Sequence, residues 1–198
     1  MKKRCMQKIN KKKETNLNNT HIAWEDYFAT AAILASLRSK DPTRKVGAVI
    51  VSADNKILST GYNGAPYGIG DTEFPWQKDG DYLNTKYAYV VHAELNAILN
   101  YNGSRNELKG AKLYTTLFPC NECMKAIIQS GITEVIYLDN HNLSKESAQA
   151  ALKMVNIHNK DLRYPKINLK GYQISTSTSN LITKAILATK EIIPLNEN

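Results

Sequence analysis

AKLYTTLFPCNECMKAIIQSGITEVIYL, residues 111–138, is the stretch on which the fold class turns. Residues 111–116 read as a β-strand and 134–138 as another. Between them, 119–130 reads as a helix, with Pro119 suited to its first position and Gly131 placed to end it. A strand, a helix and a second strand joined this closely form a crossover. The two strands are therefore expected to run parallel, in an α/β fold with helices covering the sheet.

The neighbouring segments extend this pattern without internal repeats. Upstream, VGAVIV (46–51) and KILSTG (56–61) flank SADN and read as a β-hairpin. Residues 22–38 place Trp24, Tyr27, Phe28, Ala31, Leu34 and Ala35 at helical spacing, which predicts a first amphipathic helix with Trp24, Tyr27 and Phe28 in the core. Pro42 marks its end. The longest irregular stretch, residues 62–90, is rich in Gly, Pro, Asp and aromatics. A loop of that length usually carries function, and its aromatics argue for order, with Trp76 as an anchor. A helix then starts at His92. SKESAQAALKMVN (144–156) reads as a helix capped by Ser144, and NLITKAILATKEII (180–193) as a short amphipathic helix suited to packing on the domain or on another subunit.

Of the 198 residues, 42% are apolar, enough for one domain with a real core. No run approaches the ~18 apolar residues of a membrane span, and the first residues lack the apolar centre of a secretory signal, so a cytoplasmic protein is expected. The net charge of +8 is unevenly spread. Residues 1–20 hold seven Lys/Arg and one Glu, leaving the other 178 residues at only +2. This basic tail is expected to be disordered and solvated, and specific nucleic-acid binding is not expected. Three cysteines, Cys5, Cys120 and Cys123, make no disulfide framework. Cys-x-x-Cys in a cytosolic chain means a redox pair or half of a metal site.

The candidate chemistry sits at two helix starts. Cys120 and Cys123 project to one side of a first turn, where unpaired N–H groups favour thiolate. His92 and Glu94 begin the other helix. Two residues apart, they cannot share a helix face, but in a first turn both can reach over the open end. His92 then supplies a third zinc ligand while Glu94 stays free as acid and base, and the open fourth position marks a catalytic zinc. His-Ala-Glu, with Pro-Cys-x-x-Cys beginning twenty-five positions after Glu94, is the known signature of zinc nucleobase deaminases.

The resemblance goes further. WEDYFATAAILASLRSKDPTRKVGAVIV, GYNGAP, FPW, HAELNAIL and LFPCNECMKAIIQSGITEVIY are together similar to the deoxycytidylate branch of the zinc-dependent cytidine/deoxycytidylate deaminase family, over roughly residues 22–157. That resemblance implies a three-layer α/β/α cytidine deaminase-like fold with a five-stranded mixed sheet, usually assembled as a hexamer. It implies hydrolysis of dCMP to dUMP, the precursor for thymidylate synthesis, with Zn2+ held by His92, Cys120 and Cys123 and with Glu94 catalytic. It also implies effector binding, dCTP activating and dTTP inhibiting, at Gly61, Tyr62, Asn63 and Gly64, with Lys40 as a phosphate contact and Mg2+ accompanying the triphosphate. The domain is taken as 21–172, between the tail (1–20) and a C-terminal helix extension (173–198).

Three departures stand out. Some relatives bind a second, structural zinc through Cys and His before His-Ala-Glu, but residues 65–91 contain neither, so one zinc per chain is expected. GIGD (68–71) replaces a cysteine-containing version, and Ala151 stands where some relatives have arginine. Tyr114, Phe118 and Tyr137 are unranked candidates to stack on a pyrimidine, whereas His21, His141 and His158 read as surface residues. Two rivals remain: a deaminase of RNA or single-stranded DNA, which the nearly neutral domain opposes, and a zinc-stabilised module closed by a fourth ligand such as Cys5.

Overall fold

A computed structural model describes residues 21–70 and 72–192; the basic tail and Cys5 lie outside the described residues. The chain runs α1 (Trp24–Ser36), β1 (Gly47–Val51), β2 (Ile57–Tyr62), α2 (Ala93–Leu99), α3 (Arg105–Leu108), β3 (Lys112–Leu117), α4 (Asn121–Ser130), β4 (Glu134–Asp139), α5 (Glu146–His158), β5 (Asn168–Gly171) and α6 (Thr176–Ile192), with two 3-10 turns before α2. One sheet takes the order β2-β1-β3-β4-β5. The β1–β2 hairpin is antiparallel, β1 also runs antiparallel to β3, and β3, β4 and β5 are parallel. The sheet is mixed, as expected.

Alternation along the strands divides the core. Ala48, Ile50 and Leu113 face α2, α4 and α5 through Ala93, Ala97, Met124, Ile127, Ala151 and Val155. Val49, Val51 and Tyr114 face α1 through Phe28, Ala29 and Ala32. Period-two side-chain direction thus builds three layers, α/β/α. Among the described residues no helix is long and apolar enough to cross a membrane.

Packing rotates α1 away from its expected face. Phe28 is fully buried, but Trp24 is 56% exposed, Tyr27 43% and Leu34 67%. The cause is close approach to the sheet: a Cβ at Gly47 would stand 2.0 Å from Ala32 O and 2.5 Å from Ser36 N. Only small residues fit there, so Ala29, Ala32 and Ser36 face inward and the large stripe faces out.

Helix ends also differ in detail. α4 starts at Asn121, so Cys120 rather than Pro119 marks its boundary, as N-cap. α5 has Lys145 at its N-cap with no side-chain cap bond, and Ser144 lies one residue further out. α6 starts at Thr176, four residues earlier than the apolar pattern. Asp26 of α1 explains that start. Its carboxylate accepts from Ser175 N at 3.1 Å, Ser175 Oγ at 2.6 Å, Thr178 Oγ1 at 2.5 Å and Tyr172 Oη at 2.8 Å. One buried acid therefore satisfies donors at the head of α6 and ties that helix to α1.

Candidate active site

The site forms where β3 delivers the chain to α4 and the long loop delivers it to α2. Both helix starts lie at the carboxyl end of the parallel strands, where open α/β sheets form their crevice. His92 is the N-cap of α2 and Glu94 lies in its first turn. Cys120 is the N-cap of α4 and Cys123 lies in its first turn. Non-helical backbone at both caps, with ψ of 156° and 174°, turns His92 and Cys120 over the helix ends.

His92 Nδ1 lies 3.3 Å from Cys120 Sγ and 3.4 Å from Cys123 Sγ. No disulfide joins the cysteines, and one donor atom from each of the three residues falls within 4.8 Å of the others. Zinc bonds of about 2.3 Å to sulfur and about 2.0 Å to nitrogen span such separations, so this donor set fits one zinc ion. Among the described residues the cluster has three members.

Glu94 stands beside them, 4% exposed. Its Oε2 accepts from Cys123 Sγ at 3.3 Å and its Oε1 faces Thr115 Oγ1 at 3.0 Å. Burial pushes the Glu94 carboxyl above its usual range. Cys120 is drawn down to about 4, chiefly by a hydrogen bond from Cys123, with His92 adding to it. Hydrogen bonding to Cys120 raises the His92 imidazole. The pocket therefore favours a thiolate at Cys120, while burial opposes ionisation of the Glu94 carboxyl.

Sequence reasoning missed Thr115. Its hydroxyl also lies 3.1 Å from Leu117 O. With the proton turned to Glu94 it holds a carboxylate; turned to Leu117 O, it accepts from a carboxylic acid. Thr115 can thus hold Glu94 in either protonation state.

The GYNG segment divides between structure and surface. Gly61 lets α2 sit on β2: a Cβ there would lie 2.3 Å from both Ala93 O and Ala97 N. Asn63 is buried, accepting from Val46 N at 2.8 Å and donating to Asp41 Oδ2 at 3.1 Å and Arg44 O at 3.0 Å. Gly64 pairs with Val91, next to His92. Tyr62 and Gly64 share a groove with Lys40, Arg38 and residues 65–69. Trp76 packs on buried Phe74 with ring centroids 4.4 Å apart, an anchor within the long loop. Tyr114 faces α1 and packs on Phe28, away from α2 and α4. At the same sheet end as the cysteines, Arg44 meets His141, and both lie against Asp139, the last residue of β4.

Three potential metal donors with one buried carboxylate beside them match the residue set of zinc-dependent nucleobase deaminases. Comparison with known proteins agrees. A model of the family "Cytidine and deoxycytidylate deaminase zinc-binding region" matches residues 22–139. Deoxycytidylate deaminase of Homo sapiens is 47% identical over 138 residues, 69% of this chain and 76% of that protein. A probable deoxycytidylate deaminase of Drosophila melanogaster is 46% identical over 153 residues, 74% of each chain. In fold, the chain is similar to the dCMP deaminase of cyanophage S-TIM5, solved with dCMP and dUMP, at a TM-score of 0.55 and 23% identity, covering 75% of this chain and 96% of that one. The chain belongs to the cytidine and deoxycytidylate deaminase family, hydrolases of carbon–nitrogen bonds.

Proposed function

We propose that the chain hydrolyses dCMP to dUMP and ammonia in the cytoplasm, supplying dUMP for thymidylate synthesis. The observation that carries this reading is the buried Glu94 carboxyl beside, and outside, the His92–Cys120–Cys123 donor set. Zinc held by those three residues would lower the pKa of a water molecule toward neutrality. Adding that water across C4 and N3 of the pyrimidine needs a group that takes a proton from the water, gives it to N3, and then carries the second water proton from the new C4 hydroxyl to the departing amine as the C4–N bond breaks. Glu94 does all three, with Thr115 keeping it aimed.

Substrate phosphate is assigned to Arg44, with His141 beside it, because both lie against Asp139 in loops at the same sheet end as the cysteines. The groove at Arg38, Lys40, Tyr62 and Gly64 is assigned to dCTP and dTTP, with Mg2+ on the triphosphate; two cations and close-approach glycine suit a polyphosphate. Gly61 and Asn63 flank Tyr62 in the chain, with contacts of their own to α2 and to Val46, Asp41 and Arg44. The outward stripe of Trp24, Tyr27 and Leu34 suits contact between copies, in keeping with a hexamer.

The test is ammonia release from dCMP, deoxycytidine, dCTP and a cytosine-containing oligonucleotide, with and without dCTP and Mg2+. Turnover of dCMP, raised by dCTP, is expected; turnover of the oligonucleotide instead, or of none, contradicts the proposal. Glu94→Gln should keep its zinc and lose about 100-fold or more in kcat.

A further inference from the structure

Little apolar contact anchors the segment that ends in His92 beyond Tyr89, which stands edge-on to buried Phe74 with ring centroids 6.4 Å apart. Residues 77–84 are all exposed, and after Phe74 the next buried side chains are Thr85 and Lys86. Lys86 is the unusual one: a lysine is rarely buried unless paired. Its side chain is 7% exposed, with Nζ 2.7 Å from Asp41 Oδ1 and 2.6 Å from Oδ2, and Asp41 is 2% exposed.

Asp41 is a hub. It also accepts from Thr43 N at 2.8 Å, Arg44 N at 3.1 Å and Asn63 Nδ2 at 3.1 Å. From Lys86 to His92 the backbone has little freedom. Val90 N donates to Lys86 O at 2.8 Å, and Val91 exchanges hydrogen bonds with Gly64 at 2.9 and 3.1 Å. Displacing the ammonium therefore displaces the residue that meets both thiols.

A buried ion pair is a poor source of net stability, because desolvation cancels most of its attraction. What it does supply is a unique address: a two-oxygen contact is satisfied at one position only, unlike an apolar side chain that packs at several. We infer that Lys86 is a positioning residue for the active site, its buried pair with Asp41 seating the segment that ends in His92 and so fixing where the imidazole meets Cys120 and Cys123.

The experiment compares the full chain with Lys86→Met, Lys86→Arg and the double variant Asp41→Asn/Lys86→Met. The readouts are melting temperature after zinc is stripped, the rate of zinc release to a chromophoric chelator, and kcat and KM on dCMP. The double variant leaves no charge buried alone, so its zinc-stripped melting temperature should stay within about 4 °C of the parent. Its zinc release should nevertheless accelerate about 10-fold or more and its kcat fall comparably, with KM changed less, the size of effect expected when support behind a metal ligand is lost. Lys86→Arg should recover part of both. Zinc release and kcat close to the parent in the double variant would overturn the inference. So would a fall in zinc-stripped melting temperature that tracks the loss of zinc across all three variants. Zinc release is read without substrate, so it stands even where dCMP turnover fails.

Discussion

Thr115 has one proton and two oxygens within reach of it, Glu94 Oε1 at 3.0 Å and Leu117 O at 3.1 Å. Removing that hydroxyl while keeping its shape isolates its role. Thr115→Val should fold and hold zinc, yet lose about 10-fold in kcat, since an orphaned buried acceptor costs about 1–3 kcal/mol; steady-state kinetics and metal analysis check this. His92, Glu94, Cys120 and Cys123 could be singled out in sequence because His-Ala-Glu and Pro-Cys-x-x-Cys together match a known signature, and the structure brings the four side chains together. Thr115 could not, because one threonine in a strand looks like any β-former until the facing helix is known. Asn63 has a structural task that its motif did not announce: its side chain bonds Val46, Asp41 and Arg44.

Elements were legible by type more than by face. Helical spacing found α1, but not that Gly47 brings it so close to the sheet that alanine and serine must face inward. The same contact logic gives a prediction at β2. Gly61→Ala would put a methyl against the backbone of α2, the helix that carries Glu94 and starts at His92; a stability loss of about 1–3 kcal/mol is expected, with weakened zinc retention, measured by denaturant unfolding and by metal content after dialysis. The early start of α6 was hidden because its cause, Asp26, lies about 150 positions upstream. Burial opposes ionisation of Asp26, but hydrogen bonds from Ser175, Thr178 and Tyr172 outweigh it and hold its pKa at about 2. An unfolded aspartate titrates near 3.9. The stabilisation is thus complete above about pH 4 and lost as pH falls through about 2. Helical circular dichroism during acid titration should show this loss, and Asp26→Asn should be less stable at pH 7 and flat across that window.

At the scale of the molecule, four of five strands could be read from β-branched and aromatic runs, the antiparallel β1–β2 pair from its short turn and the parallel β3–β4 pair from the helix between them. β5, NLKG, carries no such pattern, and its residues are mostly exposed at a sheet edge. Charge was informative in the negative sense: once the tail is set apart, the other 178 residues carry a net of only +2, which gives polyanion binding little support from composition. The site itself depends on the whole sheet, since β3, α4, the long loop and α2 converge only through it. Hydrolysis there requires a zinc ion with three protein ligands and a place left for solvent beside Glu94. X-ray absorption at the zinc edge of the purified full chain measures this most directly. One zinc per chain with two sulfurs at about 2.3 Å and two lighter atoms at about 2.0 Å is predicted. A third sulfur, which Cys5 would supply, would contradict it.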